Sequence, residues 1–522
     1  MNSDRLLEIY SLPFEPLPGD APVFAADVGE EDWLRIGQTI RAEGGLLVSI
    51  WGKQEKTDIG RYSISAAYCI DKKLLWLRLP TNEQTGYPDL SALFPSAVRM
   101  QRAVFDLLGI PANGAEDYRQ WINHGMWPKD YFPLRQQFSG LESFDFEPDC
   151  YPFVLVEGDG VHEIAVGPIH AGIIEPGHFR FSIVGEKVLR LEQLLGYTHK
   201  GVDKLFTRHR VSDGYRLAGR ISGDSTVAYS WAYCMAAEAA MSCRIPPRAQ
   251  WMRALLLERE RIGNHLGDLG AIGNDAGLAF GLSQFMLLRE EWVRLNARLF
   301  GHRLMMDCIV PGGLTVDLDT QGIDLTLAQC KRIEVEVATL REIYDEHAGL
   351  QDRFISTGRV SAELALELGL CGMAGRASSQ PWDARSHQAP PSSAYAQLDV
   401  RMAMHQDGDV AARVHVRFEE IAESIRLIRD ILHRMPAGPV ATPFDENESD
   451  SGHRGAGWVE GWRGPIFVGL EKDMNGEIVS CHCHDPSWQN WPVLQHAILG
   501  NIVPDFPLIN KSFNLSYSGQ DL

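Results

Sequence analysis

Two kinds of hydrophobic pattern occupy the first third of the chain. LLVSIWG (46–52) and LLWLRLP (74–80) are short, apolar or alternating, and lie near turn residues, which predicts β-strands. PSAVRMQRAVFDLLGI (95–110) predicts a helix, with a proline and a serine at its start and Gly109 at its end. The connector LRQQFSGLESFDFEPDCYP (134–152) is rich in proline and acidic residues, so it indicates a domain boundary.

The pattern of the remaining chain changes from strand to helix. VHEIAVGPIHAGIIEPGHFRFSIVGEKVLRL (161–191) predicts strands separated by glycine and proline, as in a hairpin or meander. PPRAQWMRALLLERERIGNHLGDLGAIG (246–273) has apolar residues at three- and four-residue spacing, which is typical of a helix. GWRGPIFVGLEKDMNGEIVSC (461–481) predicts a hairpin that turns at Asn475-Gly476. Further helical patterns cover approximately 282–307, 326–348 and 408–435.

Composition limits the classes of partner. A chain of 522 residues is long enough for about two to four domains, each with its own core. The net charge of −20 argues against nucleic acid or an anionic membrane surface as the principal partner. No uncharged apolar run of about 18 residues is present, and the first residues are acidic and proline-containing. We therefore expect neither a membrane span nor a secretory signal.

The cysteine pattern argues against a cysteine-rich metal site. The chain has nine cysteines, an odd number, and no Cys-x-x-Cys pair. Neither an iron–sulfur cluster nor a zinc site is therefore indicated by their spacing. Scattered thiols of this kind are typical of a reducing compartment.

Ordered blocks through the chain resemble a known family. Those of the second half resemble the large subunit of membrane-associated nickel–iron hydrogenases and, equally, the D subunit of respiratory complex I. Those of the first half resemble the complex I C subunit, and the fusion order is that of formate-hydrogenlyase-type large subunits. The blocks are FPSAVRMQRAVFDLLGI (94–110), WPKDYFPLR (127–135), GPIHAGIIEPGHFRF (167–181), GYTHKGVDKL (196–205), RISGDS (220–225), PPRAQWMRALLLERERIGNHL (246–266), GRASSQPWDAR (375–385), EGWRGP (460–465) and DPSWQNWPVLQHAILGN (485–501).

The resemblance implies an α+β protein of two domains. Residues 1–150 would form an α/β docking domain like the complex I C subunit, together with the linker. Residues 151–522 would form a mainly α-helical domain like the D subunit, with a small β-sheet at its start.

The departures from the family concern its metal ligands. Hydrogenases of this family carry cysteines at the positions that match Ser222, Ser225, Ser516 and Gly519. Nickel and low-spin iron need soft thiolate donors, and a serine hydroxyl stays protonated at neutral pH. We therefore expect no metal in this chain and no hydrogenase activity of its own. Residual hydrogenase activity is a further possibility, and it would require bound nickel.

A quinone-like pocket is the next expectation from the resemblance. The complex I D subunit lines its quinone pocket with a hairpin histidine, which matches His178, and the neighbouring motif histidine matches His170. The tyrosine of that pocket falls at Gly223, which has no side chain to donate a proton. The alternative for His178 is an ordinary hairpin histidine hydrogen-bonded to backbone.

Three charged residues share one face of the helical pattern at 246–273. Glu258, Arg261 and His265 stand three and four residues apart and match family positions near the buried centre, where they would relay protons. The alternative is an intrahelical ladder of ion pairs. Inward packing of this face would favour the relay.

Four further residues match family positions around the former metal pocket: Arg220, Arg376, Asp383 and Arg385. Their charges need partners once the metal is absent, because a buried unpaired charge is costly. Either internal salt bridges or a small anionic or polar ligand would compensate them, and we favour internal pairing.

A second histidine pattern lies on the strand predicted near the C-terminus. His482 and His484 alternate around Cys483, so both imidazoles would face the same side and a transition-metal site is conceivable. The favoured alternative is a titratable basic face that contacts a partner subunit. Cys481 and Cys483 are interpreted as ordinary strand residues.

The resemblance implies a subunit of a membrane-associated oxidoreductase that lacks a nickel–iron centre. The expected partners are a complex I B-like small subunit with a [4Fe–4S] cluster, a ferredoxin-like subunit and antiporter-like membrane subunits. The chain would lie on the cytoplasmic face of the plasma membrane, held there by these partners, and a quinone is its one conceivable cofactor. The alternative function is a catalytically silent scaffold of such a complex.

Overall fold

The computed structural model describes residues 14–56, 60–145, 150–171, 174–389, 393–445 and 454–522. It is 43% helical and 18% strand, which confirms the predicted mixture of helix and sheet. None of the helices within these ranges has the length and apolar character needed to cross a membrane.

The N-terminal region is a five-stranded sheet with two helices. The strand order is β1-β2-β5-β4-β3, with β2 and β5 parallel and the other pairs antiparallel. Every residue of β4 is buried, since it lies inside the sheet and both faces of the sheet are covered. The elements are β1 (Glu15–Pro16), β2 (Val23–Asp27), α1 (Glu30–Ala42), β3 (Leu46–Gln54), β4 (Tyr62–Ile70), β5 (Lys73–Thr81), α2 (Ala97–Leu108) and the short parallel pair β6 (Tyr87–Pro88) and β7 (Ala112–Asn113).

Helix α2 confirms the prediction for residues 95–110. It ends at Leu108, where Gly109 adopts a left-handed conformation with φ 74° and its N–H bonds to Phe105 O at 2.7 Å. A residue with a Cβ is strained at this φ, so glycine is the residue that ends the helix here. The helix packs on β3 and covers that side of the sheet.

A three-stranded meander follows the connector, as predicted. Its order is β10-β9-β8, with both pairs antiparallel. The strands are β8 (Val161–Val166), β9 (His178–Val184) and β10 (Lys187–Leu194). Two residues of the family block at 167–181, Gly172 and Ile173, lie outside the described residues.

The helical region is built around two buried helices. Every residue of α5 (Thr226–Ala240) is buried, and α6 (Pro247–Asp275) packs against α7, α13 and α15. The other helices are α3 (Val202–Phe206), α4 (Gly214–Ala218), α7 (Ala279–Phe300), α8 (Thr320–Glu346), α9 (Ala348–Phe354), α10 (Ala362–Leu368), α11 (Gly372–Arg376), α12 (Ala384–His387), α13 (Val410–Arg434), α14 (Ser487–Ala497), α15 (Phe506–Phe513) and α16 (Tyr517–Asp521); β11 (Ile309–Val310) pairs with β12 (Gly313–Leu314).

The predicted helical segment at 282–307 is too long at its C-terminal end. Helix α7 ends at Phe300, and Gly301 follows with φ 79°. Residues 302–307 form a turn in which Met305 and Asp307 also have positive φ, at 58° and 61°. The apolar pattern continues past the helix, but the left-handed glycine ends it.

The C-terminal sheet packs directly on α5. Its strands are β13 (Arg454–Glu460), β14 (Pro465–Lys472) and β15 (Ile478–His484), and β14 and β15 turn at Asn475-Gly476 as predicted. Gly455 and Gly457 on β13 abut the helix backbone at Ala236 and Ala232, where a Cβ would collide. Small residues on both elements therefore bring the sheet and the helix into close contact.

Candidate functional site

The four positions at which the resemblance implied metal-binding cysteines converge in space. Ser516 is the N-cap of α16, and its Oγ accepts from Gly519 N at 2.9 Å. The same hydroxyl lies 3.4 Å from Ser222 Oγ, although 294 residues separate the two in sequence. Ser225 follows Ser222 after a single 3₁₀ turn and is also buried. We call Ser222, Ser225, Ser516 and Gly519 the serine cluster.

An ion pair occupies one side of the serine cluster. Arg463 binds Asp224 through two hydrogen bonds, of 2.8 Å from Nη1 and 2.6 Å from Nη2. Ser222 Oγ donates to Asp224 Oδ1 at 2.7 Å, and Ser225 Oγ lies 3.3 Å from the same oxygen. Burial would raise the pKa of Asp224, but Arg463 and the two hydroxyls outweigh burial and lower it. The serines therefore solvate a carboxylate.

The Asp485 carboxylate occupies the other side of the serine cluster. A Cβ placed on Gly519 would collide with Asp485 Oδ2, so there is no room for a side chain at position 519. Tyr229 OH donates to the same oxygen at 2.7 Å, and Ser487 N donates to Oδ1 at 2.8 Å, which hold the carboxylate in place.

A nickel–iron centre does not fit these residues. The serine cluster offers hydroxyls and one bare Cα, and its space is occupied by two carboxylates and a guanidinium. Within the described ranges, no group of three or more His, Cys, Asp or Glu side chains is arranged to hold a metal ion.

A buried charge network lies behind the serine cluster. It contains four carboxylates, three guanidiniums and one imidazole, and each of these side chains is almost completely inaccessible to water. Its members are joined by contacts between α6, α11, α12, α13 and β13. We call the following residues the charge network: Glu258, Arg261, His265, Arg376, Asp383, Arg385, Glu420 and Glu460.

Glu258 binds residues from three other elements. Arg385 Nη1 donates to its two carboxylate oxygens at 3.1 and 3.2 Å, Ser424 Oγ donates at 2.6 Å, and Tyr395 OH donates to Oε1. The intrahelical contact with Arg261 is longer, at 3.4 Å. This face of α6 is therefore packed inward and forms no surface ladder, and the proton relay stays a prediction.

Arg376 links two further carboxylates. It contacts Glu420 Oε1 through Nε, at 3.0 Å, and through Nη2, and it donates from Nη1 to Glu460 Oε1 at 2.9 Å. His265 Nε2 lies 2.7 Å from Glu420 Oε2. Burial and the nearby negative charge of Asp383 raise the pKa of Glu460 to about 7, against the opposing effect of Arg376. Glu460 is therefore the carboxyl of the network whose pKa is raised, whereas the pKa values of Glu258, Asp383 and Glu420 are lowered by their cations.

The loop after β13 joins the charge network to the serine cluster. Arg261 donates to Glu460 O at 2.7 Å and to Gly461 O at 3.1 Å. The next residue, Trp462, donates from Nε1 to Ser225 Oγ at 3.1 Å, and its ring lies edge-on to His265 at 6.0 Å. One short loop therefore contacts both the charge network and the serine cluster.

The four residues predicted to ring the pocket divide into two groups. Arg376, Asp383 and Arg385 join the charge network, with Arg385 2.7 Å from Asp383, so internal pairing is the observed arrangement. Arg220 does not line the pocket. It is half exposed and binds Asp307 through hydrogen bonds of 2.8 and 2.7 Å, because its side chain points to the turn after α7.

The candidate quinone residues lie at the meander. His170 Nε2 lies 2.7 Å from Gly177 O, and the His178 ring packs on Phe153 at 5.1 Å. His178 also bonds to the backbone of Gly167, while its buried Nε2 has no hydrogen-bond partner. Burial, followed by the charge of Arg180, lowers the pKa of His178, so the ring is neutral at pH 7.

The meander contacts the serine cluster through Tyr517 and not through Gly223, the predicted tyrosine position. A Cβ on Gly177 would lie 2.7 Å from the ring of Tyr517, which follows Ser516. Gly223, at the predicted tyrosine position, is exposed, and a Cβ built on it would meet nothing closer than Leu304 at 4.0 Å. A phenol from the C-terminal helix therefore lies against the histidine hairpin.

The two strand histidines do not form an outward-facing basic surface. His482 lies between Ser49 Oγ, 2.9 Å from Nε2, and Asp203 Oδ2, 3.0 Å from Nδ1, and its ring stacks on Trp51. His484 Nε2 bonds to Gln489 Oε1 at 2.9 Å. Both rings are buried because the N-terminal sheet covers β15, so the prediction of a partner-contacting face was wrong.

Sequence reasoning missed several site residues. Asp224 and Arg463 stand inside the quoted blocks RISGDS and EGWRGP, and Asp485 begins the block at 485–501. Glu420 and Glu460 complete the network from α13 and β13. The buried arginines need carboxylate partners to balance their charge. That requirement would have shown that more carboxylates lie in the network, but not which residues supply them.

Both parts of the chain are similar to known proteins. Residues 26–143 match the family model of the respiratory-chain NADH dehydrogenase 30 Kd subunit, and residues 275–455 match that of the 49 Kd subunit. Formate hydrogenlyase subunit 5 of Escherichia coli (strain K12) is 29% identical over 494 residues, which cover 92% of this chain and 85% of that protein. The D subunit of NADH-quinone oxidoreductase from Thermosipho melanesiensis is 30% identical over 290 residues, covering 56% of this chain and 78% of that protein.

A solved structure has the same fold. The similar chain comes from the membrane-bound sulfane sulfur reductase, described as an archaeal respiratory membrane complex, with a TM-score of 0.64 and 23% identity. The match covers 70% of this chain and 99% of that one. The chain thus belongs to the large-subunit family of complex I-like respiratory complexes. It belongs to the family of the complex I 49-kDa and 30-kDa subunits, here fused in one chain with the 30-kDa part first.

Proposed function

We propose that this chain supports electron transfer in a membrane-associated complex I-like oxidoreductase without a nickel–iron centre. The observation that carries the proposal is the content of the serine cluster. Hydroxyls, the Asp224–Arg463 ion pair and the Asp485 carboxylate occupy the space in which a thiolate-bound metal would have to sit. The proposal therefore assigns no hydrogenase activity to this chain.

The partners in this proposal are those that the sequence resemblance implies, and the relatives support a place in a multisubunit complex. Their names describe subunits of formate hydrogenlyase, NADH-quinone oxidoreductase and a respiratory membrane complex. We assign to this chain a small subunit with a [4Fe–4S] cluster, a ferredoxin-like subunit and antiporter-like membrane subunits. The chain would be held at the cytoplasmic face of the membrane by those subunits.

The charge network supplies the coupling element. With His265 neutral, three guanidiniums face four carboxylates, so the network carries one negative charge unless one carboxyl is protonated. Glu460, with a pKa of about 7, is the group that gains or loses this proton. Reduction of a neighbouring cluster or quinone would add negative charge, and proton uptake at Glu460 would compensate it.

The candidate pocket for an electron acceptor lies at the meander. His178 presents a buried Nε2 with no hydrogen-bond partner on a neutral ring. According to its tautomer, this nitrogen can donate to a quinone oxygen or accept from the hydroxyl of the reduced quinone. Tyr517 lies at the same hairpin through its contact with Gly177. A quinone-like acceptor would therefore sit beside the meander, between His178 and the last helix.

The second candidate function is a silent scaffold. It is favoured by the hydrogen bonds of the serine cluster, in which Ser516 and Ser222 are bonded to groups of this same chain. A scaffold needs the fold and its interfaces, but it needs neither proton exchange at Glu460 nor a ligand at His178.

One experiment separates the two functions. The intact complex is purified from its host through a tag on this chain, its subunits are identified by mass spectrometry, and electron transfer to a quinone is measured. For the first function we expect cluster-binding and antiporter-like subunits, and a loss of coupled activity in a Glu460→Gln complex that still assembles. Recovery of the chain alone would contradict both functions. An assembled Glu460→Gln complex with unchanged activity would contradict the first function and support the scaffold function.

A further inference from the structure

A cleft between the N-terminal region and the segment that carries α3 plays no part in the proposed function. One wall comes from residues 122–144 and the other from residues 196–208. The cleft has a volume of about 460 Å³, which lies in the range of about 300–1,000 Å³ that is usual for ligand pockets of proteins. It therefore has room for a large side chain and the groups next to it. We call it the basic cleft.

The two walls of the basic cleft are fixed to each other. His124 Nε2 lies 2.9 Å from Leu195 O, and the His124 ring lies edge-on to Tyr197 at 4.5 Å. Gly196 has φ 101°, and a Cβ at this position would lie only 2.9 Å from Trp121 O. The cleft is therefore part of the folded chain before a ligand enters, which lowers the entropic cost of binding.

Three cations line the basic cleft, and none of them forms an ion pair within the part of the chain that the structure describes. Lys204 Nζ donates to Arg135 O at 2.9 Å, and Arg208 Nη2 donates to Ser139 O. Burial and the charge of Arg208 lower the pKa of Lys204, and Glu142 opposes them. Each cation keeps further N–H donors for a carboxylate. The three cations stand four residues apart in the sequence, at Lys200, Lys204 and Arg208.

Two acidic residues lie near Lys200 but outside the wall of the cleft. Burial lowers the pKa of Lys200, and the charges of Glu175 and Asp521 oppose this effect. Asp521 Oδ2 accepts from Thr198 N at 3.0 Å and from Thr198 Oγ1 at 2.7 Å, and Glu175 accepts from Ser518 N at 3.0 Å. Among the described residues, neither carboxylate forms an ion pair with Lys200. Its ammonium group therefore remains available to a ligand.

The wall itself contains one carboxylate, which is bound by its own turn. Glu142 accepts from Ser139 N at 2.8 Å, from Ser139 Oγ at 2.9 Å, from Gly140 N at 2.8 Å and from Tyr131 OH. With the histidines neutral, three cations and one carboxylate leave two positive charges in excess. The chain as a whole carries a net charge of −20. The basic cleft is therefore opposite in sign to the chain and attracts an acidic group.

The rest of the wall is apolar and partly open to solvent. Met126 is 55% exposed and Tyr197 is 36% exposed. The Trp127 ring is half-buried and lies 6.2 Å from the His199 ring. Exposed apolar groups beside cations favour a ligand that has both an apolar side chain and negative charge. An inorganic anion would leave this part of the wall uncovered.

We propose that the basic cleft binds an acidic segment of a partner protein. An aromatic side chain of that segment packs on Met126, Trp127 and Tyr197, and the carboxylates next to it pair with the three cations. An anionic membrane surface matches the cleft less well, because the net charge of −20 repels such a surface. The inference goes beyond the proposed function, since it uses no residue of the charge network, the serine cluster or the meander.

The test is a titration of the purified full-length chain with the peptide EDFDE, blocked at both ends. Isothermal titration calorimetry measures the dissociation constant. The peptide QNFNQ keeps the aromatic ring without the charges, and EDADE keeps the charges without the ring. We expect EDFDE to bind saturably at one site per chain, and each control peptide to bind about tenfold more weakly or less. Sodium chloride should weaken the binding of EDFDE, because it screens the charges.

Three results would overturn the proposal. The first is an absence of saturable binding of EDFDE. The second is a dissociation constant for QNFNQ or EDADE equal to that for EDFDE. The third is saturable binding of the chain to phosphatidylglycerol vesicles without binding of EDFDE, which would assign the cleft to a membrane surface.

Matched variants test whether EDFDE binds at the basic cleft. Met126→Ser should weaken binding about fivefold, whereas Met474→Ser should not change it, since Met474 is 58% exposed and lies outside the cleft. Lys200→Gln and Arg208→Gln should each weaken binding about fivefold. Their control is Lys129→Gln, at an exposed lysine of the same region that does not line the cleft. Equal dissociation constants in the cleft variants and in their controls would contradict the assignment.

Discussion

Asp485 stands in the space that a side chain at Gly519 would need. A Cβ on Gly519 would collide with Asp485 Oδ2, which is held by Tyr229 OH at 2.7 Å. The collision involves a fixed carboxylate and not the flexible end of a long side chain. Glycine is therefore required at 519 by the neighbouring aspartate, and a cysteine at this position would have to displace it.

The first prediction concerns this collision. Gly519→Ala should lower the free energy of unfolding by about 2 kcal/mol, because overpacking of a filled core typically costs about 1–3 kcal/mol. Urea unfolding measures the change. Gly223→Ala is the control, since a Cβ there meets nothing closer than Leu304 at 4.0 Å, and we expect a change of less than about 1 kcal/mol. Equal effects of the two substitutions would mean that Asp485 does not fill the pocket.

The second prediction concerns the charge network. Arg376→Met leaves Glu420 and Glu460 without their shared cation, and removal of one partner from a buried pair costs about 3–5 kcal/mol. Arg429→Met, at an exposed pair with Glu334, should cost less than about 1 kcal/mol. Chemical denaturation of the two variants compares them directly. A loss at Arg376 as small as the loss at Arg429 would show that the network is not closed to water.

The third prediction concerns the pH dependence of stability. The pKa of Glu460 is raised in the folded chain from 4.5 to about 7, so the folded state binds its proton more tightly than the unfolded state. This contribution is fully present below about pH 4.5 and is lost as pH rises through 7, and it amounts to about 3 kcal/mol. Glu460→Gln should flatten the decline in the free energy of unfolding between pH 5 and 8, measured by urea unfolding at each pH.

The matched control for that experiment is Glu334→Gln. Glu334 is a half-exposed carboxylate whose pKa is lowered, chiefly by a hydrogen bond from Arg429, so it does not titrate between pH 5 and 8. Its substitution should leave the slope of stability against pH unchanged. A Glu460→Gln variant with an unaltered slope would place the exchanging proton on another group.

The fourth prediction concerns the candidate acceptor pocket. His178→Ala should reduce electron transfer from the intact complex to quinone at least tenfold, because it removes the one buried ring nitrogen of the hairpin that is left for a ligand. His162→Ala, an exposed histidine on the neighbouring strand, is the control and should leave the rate unchanged. An unaltered rate in His178→Ala would leave His178 as a structural hairpin residue.

Local sequence signals predicted the regular elements well. The helix at Ala97–Leu108 and the hairpin at Asn475-Gly476 followed from turn residues, whose conformational requirements act within a few positions. The extra length predicted for α7 shows the limit of this approach. An apolar pattern persists through residues 301–307, and only the left-handed Gly301 ends the helix.

The long-range partners could not be predicted in the same way. Ser222 and Ser516 are 294 residues apart, and His482 meets Ser49 across 433 residues. No periodicity encodes such contacts, because they depend on how complete elements pack. The family resemblance correctly predicted that Arg376 and Arg385 lie at the buried centre. It also predicted Arg220 there, but the side chain of Arg220 turns toward Asp307 at the surface. The direction of a long side chain is fixed by its neighbours in space.

Metal analysis of the native complex tests the central claim most directly. The complex is purified from its host, nickel is measured per copy of this chain, and the infrared spectrum is recorded in the region of metal-bound CO and CN ligands. Because the serine cluster offers hydroxyls to Asp224 and no space beside Asp485, we predict nickel far below one atom per chain and no such bands. One nickel per chain, with those bands present, would contradict the account.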